Sequence, residues 1–572
     1  MNTHMTPLPP APTIRRPAPT WEQFEQRLIL EVVRNQPEPR AHNHEELLAN
    51  RRQAAELRAR ISKYQRSLQR PVDQSHVKAL SEAICRLKVL VWRMFPFNDL
   101  PVEIVANIFR YAVWSTTSSP DGILLRFRLT WVCRRWRHIA VHDPTLWNTI
   151  WFKDVKVGYQ RSELYFERAG AATLDLRIED DDKSRLDPDQ PMTGKDMNRI
   201  LDILMTKSDQ IRMLVVVVEL WPPILVLLDR LHRSSRSLRQ LERIEIHRTG
   251  RPYRWDGPGY RLSDYKHALS LCDGYTQGIN HICLNGLHLD WDKSCLTNLT
   301  SLDLRRMPPD LGPSLERFRY MLESSPNLRK LSLDGAGPIA TTSLAMRSYP
   351  PVFLPRLESL ILGDVLVAYA IYYARIIHAP NVREMTLLNL GGEDHTPLFN
   401  VLTGKFPELL MLTLHRMNIR MSAENGRTMV QWFLSIPKIK FMRVAATMAD
   451  MLGLFNVDGR LHIRHDIPLN LTPEYRAAIL NNGSFIILCP ELEAIEVEHV
   501  NIGSVVNFVH GRKNLGVPLR KLFIQHNWLE SMEDPEKEVI KELNDEPDFI
   551  NVSVPMKVTP VEESIWKQVR GG

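Results

Sequence analysis

Apolar residues recur along this chain at two different periods. In the N-terminal part the spacing is three-four. Ala54, Leu57, Ile61, Tyr64 and Leu68 follow it, and after "RPVDQS" so do Val77, Leu80, Ile84, Leu87 and Val91. Residues three and four apart share a helix face. The two runs, joined by a short proline-containing turn, predict an antiparallel helical hairpin. Each arm holds only about two heptads, which favours docking on the next domain over a long dimerising rod. A further short helix is expected over residues 22 to 34.

The same period continues in "FPFNDLPVEIVANIFRYAV". Asn98 or Asp99 is placed to cap a helix, Pro101 suits its first turn, and Glu103 meets the positive end of its dipole. Ile104, Val105, Ile108, Phe109 and Ala112 form the apolar stripe. After a polar loop, "WSTTSSPDG", a second helix is expected from near Ile123, followed at once by "LTWVCRRWRHI". Val132, Trp136, Ile139 and Ala140 share one face there, while Arg134, Arg135, Arg137 and His138 mostly fall elsewhere. A nucleic-acid surface would mix exposed aromatics and basic residues on one face. Trp136 keeps company with aliphatics, so packing is the favoured reading.

Beyond about residue 145 the period changes. "CLTNLTSLDL", "SSPNLRKLSL", "FLPRLESLIL", "HAPNVREMTL", "KFPELLMLTL", "SIPKIKFMRV", "LCPELEAIEV" and "GVPLRKLFI" repeat one pattern, with weaker copies in "SLRQLERIEI" and "SDQIRMLVVV". Six strong copies begin their apolar pattern at Leu299, Leu328, Leu357, Val382, Leu409 and Ile439, at gaps of 29, 29, 25, 27 and 30 residues. The next clear copy starts at Leu492, and the 53-residue gap suggests two repeats with "GRLHIRH" as a degenerate one. The closing alternation of each copy is a strand signal, and intervening segments such as "PSLERFRYMLES" and "AYAIYYARIIHA" have helical spacing. One strand and one helix per repeat predict a solenoid with a parallel sheet.

Composition adds bounds. At 572 residues, with 44% apolar and 24% charged residues, the chain is expected to hold several folded domains or an elongated array. A net charge of +7 is mild for this length and does not call for nucleic acid. Six scattered cysteines form no CxxC pair, so a reducing compartment is expected. The N-terminal "MNTHMTPLPPAPTIRRPAPT" lacks the apolar core of a secretory signal. The most apolar window, 211 to 228, is broken by Glu219 and Pro222-Pro223, and reads as a buried strand followed by a helix rather than a membrane span. No membrane association is expected, and the default location is soluble, cytoplasmic or nuclear.

Two resemblances follow from these motifs. "LPVEIVANIF", then "VCRRWRHIA", then "DPTLW", over about residues 97 to 151, resembles the F-box. The hairpin in front and "YFERAGAATLDLRIE" behind are similar to the arrangement of fungal F-box proteins. The repeats resemble leucine-rich repeats, although the asparagine of that consensus is mostly missing. The F-box resemblance implies binding to a Skp-type adaptor, with Leu100, Pro101, Ile104, Ile108, Val132, Cys133 and Trp136 as contact or supporting residues. Trp147 would lock the unit to the domain that follows.

The expected fold is thus α+β to α/β: a helical hairpin and three-helix F-box, then a leucine-rich-repeat-like α/β solenoid with a parallel sheet. The expected boundaries are 1–21 for a disordered proline-rich tail and 22–94 for helices including the hairpin. The F-box takes 95–151, the solenoid 152–527, and a C-terminal cap or tail 528–572. In each repeat the residues between the core positions face the concave surface. Most are polar (Asp303, Lys330, Ser332, Asp334, Thr386, Thr413, Arg443, Glu496), and the apolar exceptions, Ile361, Leu388, Met411, Phe441 and Phe523, are candidate target-binding anchors.

No Walker loop, GxSxG elbow, HExxH or dinucleotide fingerprint occurs, so no catalysis and no cofactor is expected. Cys272, His281, Cys283, His288 and Cys295 share one stretch, but their spacing matches no common zinc site, and His281 and Cys283 flank Ile282 on an expected strand. No metal is expected. The terminal Arg-Gly-Gly lacks a ubiquitin-like fold before it and is read as chance. The expected function is substrate recognition in a Skp–cullin–F-box ubiquitin ligase, the adaptor linking to cullin and the solenoid holding a protein target. An F-box scaffold outside the ligase is the alternative, and a nucleic-acid-binding helical module the third reading.

Overall fold

The computed structural model describes residues 44–553, apart from 68–73, 95–96, 98–99, 117–118, 154–158, 181–190, 251–268, 275–277, 295, 308, 340–349, 420–421, 447–449, 457–486, 525 and 546–551. The expected helix at 22–34 and the terminal Arg-Gly-Gly lie outside the described residues. Two compact units divide between Leu146 and Trp147.

In the first unit, α1 (His44–Ser67) packs on α2 (Gln74–Met94). Leu57, Ala83 and Leu90 are buried between them, with Ile61 and Leu87 packed against that core. Ala54, Leu57, Ile61 and Tyr64 of the expected α1 seam are buried or half-buried, Leu68 lies outside the described residues, and the α2 seam differs in part. Ala83, Leu87 and Leu90 form the inward stripe, while Val91 is exposed. Both choices obey three-four spacing and share Leu87. The sequence carries apolar residues on two adjacent stripes, and packing selects one.

Three helices follow: α3 (Val102–Trp114), α4 (Ser119–Val132) and α5 (Arg134–His142). Helix α4 begins at Ser119, earlier than Ile123, so part of the expected polar loop is helical. Pro101 is the N-cap of α3 rather than part of its first turn, and it makes no side-chain capping bond, while Asn98 and Asp99 lie outside the described residues. The Pro101 carbonyl instead accepts from the N–H groups of Ile104 and Val105, both at 3.1 Å.

The second unit is built on a sheet that has 14 strands among the described residues, each pairing in parallel with the next. It opens with Thr149–Phe152 and Leu174–Glu179, then Ile211–Val218, Arg243–Arg248, His281–Asn285, Ser301–Arg305 and Lys330–Asp334. It continues through Ser359–Gly363, Glu384–Leu388, Met411–His415, Phe441–Ala445, Ala494–Glu498, Lys521–Ile524 and Val552–Ser553. Sequence-adjacent parallel pairing of this kind is the mark of a solenoid. The helices expected from "PSLERFRYMLES" and "AYAIYYARIIHA" are present as Leu315–Glu323 and Val367–Ile376. The apolar window at 211 also resolves as read, into the strand Ile211–Val218 and the helix Trp221–Arg233. Among the described residues no helix is long and apolar enough to cross a membrane.

The repeat heads explain the register. Leu299, Leu328, Leu357, Val382, Leu409, Ile439 and Leu492 are all buried, each two residues before its strand begins. Burial of such a side chain stabilises by about 1.5–3 kcal/mol, so the pattern locks each strand to its neighbour. Most strands from 281 to 498 are followed at once by a residue with left-handed backbone: Gly286, Arg306, Gly335, Asp364, Asn389, Arg416, Ala446 and His499. The turned amide continues the ladder, as Arg416 N–H donates to the Ala445 carbonyl and Ala446 N–H to that of Glu498.

An intervening repeat was expected at "GRLHIRH", between the strands Phe441–Ala445 and Ala494–Glu498. Phe441–Ala445 pairs directly with Ala494–Glu498 in full register, leaving no place for an intervening strand. The 53-residue gap is one repeat with a long insertion, and "GRLHIRH" itself lies outside the described residues. The sheet also exceeds the expected 152–527 at both ends. It starts at Thr149, inside the segment expected as F-box, and Val552–Ser553 pairs with Leu522–Phe523 beyond helices His526–Ser531 and Asp534–Asp545.

Candidate functional site: a helical face and a sheet face

Helix α3 is apolar on two sides, and only one is used internally. Val105, Ala106, Phe109 and Val113 are buried. Ile104 is 45% exposed, Ile108 40% and Tyr111 77%. Positions 104, 108 and 111 lie on one stripe, so an apolar strip faces away from the unit's own core. The expected stripe of Ile104, Val105, Ile108, Phe109 and Ala112 is therefore split between inside and outside.

Cys133 divides α4 from α5. Its backbone is extended (φ −156°, ψ 173°), and its Sγ accepts the Trp136 N–H at 3.4 Å, capping α5. Val132 thus ends one helix and Trp136 belongs to the next, so the single face expected to carry both does not exist. Trp136 is half-buried, with its ring centroid 4.9 Å from those of Phe97 and Phe109. Ile139 and Ala140 complete that inward side.

Two basic residues of this stretch bond to the backbone of the same unit. Arg135 Nη2 donates to the Leu100 carbonyl at 2.6 Å, and Arg137 Nε to that of Thr130 at 2.8 Å. Buried Asp143, in "DPTLW", accepts from Arg110 Nε at 2.8 Å and from the Thr145 hydroxyl and N–H at 2.7 and 3.1 Å. That carboxylate ties α3 to the turn after α5.

Residues 97–153 match the model of the F-box-like family. The chain carries an F-box-like domain. No curated protein matches the sequence. Among solved structures, the chain is similar to one in the yeast Rad7 and Elc1 complex, at 14% identity over 75% of this chain and 94% of that one, with a TM-score of 0.31. It is also similar to a Bacteroides fragilis protein, at 13% identity over 58% and 69% of the two chains and a TM-score of 0.26.

In the F-box-like domain the expected residues fall into two groups. Pro101, Ile104 and Ile108 are exposed, whereas Leu100, Val132, Cys133 and Trp136 are half-buried. Tyr111 was not among the expected residues, although it lies seven positions from Ile104 on the same stripe. Nor was Trp131, which is 55% exposed and stacks on Phe127 at 6.3 Å. Trp147, expected to lock two domains, is fully buried in the second unit, with Tyr165 at 5.0 Å and the Arg168 guanidinium 4.6 Å from its ring.

The sheet face opposite the buried leucines has two parts. From Glu245 to Ser332 it is buried and charged. Asp303 is bonded by Arg305 at 2.6 and 2.7 Å, with Lys330 at 3.5 Å. Burial opposes the charge on Asp303, but the Arg305 bonds and the neighbouring cations outweigh it and hold the carboxyl below its ordinary range. Asp303, Ser332 and Glu496 were expected as ligand-facing positions. They are buried, and Asp303 and Glu496 are engaged in ion pairs.

From Ile361 onward the face opens. Ile361, Leu388, Phe441 and Phe523 are half-buried and Met411 is 42% exposed. Met411 and Phe441 are in register on adjacent strands. Phe441 and Phe523 are in ring contact, and Arg443 lies 5.9 Å over the Phe441 ring while donating to Glu496 at 2.7 Å. Three of the five expected anchors, Met411, Phe441 and Phe523, therefore form one patch. Ile361 and Leu388 sit further along the sheet.

Proposed function

We propose that the chain is the substrate-recognition subunit of a Skp–cullin–F-box ubiquitin ligase, itself without catalytic residues. The observation that carries this reading is the unpartnered strip Ile104, Ile108 and Tyr111 on an F-box-like domain. An apolar strip left exposed by a well-packed small unit favours a protein partner. A Skp-type adaptor would cover it, with Leu100, Pro101, Val132, Cys133 and Trp136 at or beneath the contact, and would bring cullin. The patch of Met411, Phe441 and Phe523, with Ile361 and Leu388 beside it, would hold a protein target. Bringing that target to a charged conjugating enzyme accelerates transfer through proximity alone. Arg135 and Arg137 are bonded to backbone carbonyls, which disfavours the nucleic-acid reading.

The test is co-expression of the full chain with a Skp-type adaptor and a cullin, followed by affinity capture. Adaptor and cullin recovered together support the ligase role. Adaptor without cullin would make the chain a scaffold outside the ligase. A folded chain that captures no adaptor overturns both.

A further inference from the structure

We propose that Glu245, His247 and Cys283 form a buried site for a divalent transition-metal ion of the zinc class. Their candidate donor atoms all lie within 4.8 Å of one another, and all three residues are buried. Glu245 and His247 alternate on one strand, so both side chains project from the same sheet face. Cys283 is in register with Glu245 on the next strand. Backbone ladders fix all three, which is the rigidity a metal site requires.

The two carboxylate oxygens of Glu245 have different surroundings. Oε1 accepts from Arg243 Nε at 2.6 Å and lies 3.5 Å from His281 Nε2. Oε2 lies 3.2 Å from His247 Nε2, a spacing suited to two donors on one tetrahedral ion at about 2 Å each. Oε1 is thus held by Arg243, while Oε2 faces the His247 imidazole. Partners behind a ligating carboxylate commonly set its direction in this way.

The donor set selects the ion. One sulfur, one imidazole nitrogen and one carboxylate oxygen suit zinc, whereas calcium and magnesium take oxygen ligands. Three protein ligands leave a fourth tetrahedral position for water. Loading replaces the thiol proton: the S–H bond breaks, the sulfur keeps the electron pair and bonds the metal, and H⁺ leaves to solvent. Carboxylate and thiolate then carry two negative charges, the carboxylate's shared with the Arg243 guanidinium.

The full-length chain, stripped with chelator and dialysed, is titrated with Zn²⁺ and separately with Co²⁺. One equivalent should bind, and the Co²⁺ form should show a thiolate-to-cobalt charge-transfer band. Cys283→Ser should lose the band, while Cys272→Ser and Cys489→Ser keep it. Glu245→Gln and His247→Gln should weaken zinc binding by more than tenfold, and His281→Asn, behind the carboxylate, by about 10–100-fold. Circular dichroism establishes that each variant is folded. The wild type decides the matter if a variant is not. A folded wild-type chain that binds no zinc, or gives no thiolate band, overturns the site, as does a band that survives Cys283→Ser.

Discussion

Phe441 and Phe523 meet across an intervening strand, their ring centroids 6.1 Å apart and their planes tilted by 58°. That strand places Ala494 in register with Phe441 and Glu496 in register with Phe523. The Ala494 side chain is too small to part the rings. Aromatic pairs of this kind contribute about 0.5–1.5 kcal/mol beyond area burial. A double-mutant cycle with Phe441→Ala and Phe523→Ala, read by urea unfolding, should therefore give a coupling of about that size. Purely additive losses would mean that the rings act separately. Ala494→Leu should remove the coupling while leaving each ring in place.

The two sides of α3 predict opposite outcomes for the same chemical change. Ile104→Asp with Ile108→Asp places charges on an exposed strip, so thermal stability should change by no more than about 0.5 kcal/mol. Adaptor capture should fall at least a hundredfold. Val105→Asp, one position away, buries a charge and should unfold the domain. Circular dichroism and affinity capture on the same preparations separate the two. Equal loss of structure in both variants would show that Ile104 and Ile108 are core residues.

These outcomes mark what periodicity could and could not reveal. The repeat heads were legible because Leu299, Leu328, Leu357 and the others occupy one buried position per repeat, so each copy repeats the same signal. The side facing inward was not legible where apolar residues occupy neighbouring stripes. Ile104 beside Val105, and Leu90 beside Val91, differ only in what packs against them. Tyr111 and Trp131 escaped for the related reason that spacing does not encode exposure. Cys283 was weighed with its sequence neighbours, but Glu245 and His247 escaped because they come from a distant strand that only parallel pairing unites with it. The 53-residue gap after Ile439 misled through length, since Phe441–Ala445 pairs directly with Ala494–Glu498.

Ala446 follows its strand with φ at 49°, the left-handed region that disfavours any residue with a Cβ. Gly286 and Gly335 hold the equivalent place in other repeats. Relief of the left-handed cost, about 1–2 kcal/mol, outweighs the greater chain entropy that glycine loses, about 0.5–1 kcal/mol. Ala446→Gly should stabilise the chain by about 0.5–1 kcal/mol, seen as a higher urea midpoint with an unchanged slope. A lower midpoint would show that the Ala446 methyl contributes packing that exceeds the backbone relief.

His395 is fully buried, and its Nδ1 accepts the Asn418 N–H at 3.0 Å. Burial lowers its pKa below the ordinary 6.5, against the opposing influence of the Leu390 backbone and the Asp394 charge. The folded state therefore binds fewer protons than the unfolded one just below pH 6.5. Stability contributed by the neutral ring is complete above that value and is lost as pH falls through it towards the depressed folded pKa. The loss has a ceiling of about 1.4 kcal/mol per pH unit for this group. Urea unfolding at pH 7.5 and pH 5.5 should show a smaller difference for His395→Gln than for wild type. An identical pH dependence would remove His395 as a contributor.

Arg512 is fully buried, and its guanidinium donates from Nη1 to the Leu488 carbonyl and from Nη2 to the Cys489 carbonyl, each at 3.0 Å. Those carbonyls belong to the turn that leads into the strand Ala494–Glu498. Arg512→Met keeps much of the side-chain volume but leaves both carbonyls without these donors, and should cost about 2–4 kcal/mol. Lysine offers one ammonium where two forked donors are used, so Arg512→Lys should recover only part of the loss. In a solenoid each repeat contacts its neighbours, and damage remains largely local. Hydrogen exchange should therefore show protection lost over Ala494–Glu498 and Lys521–Ile524 while Leu174–Glu179 is unchanged. Uniform loss along the sheet would instead show that the whole array unfolds as one cooperative unit.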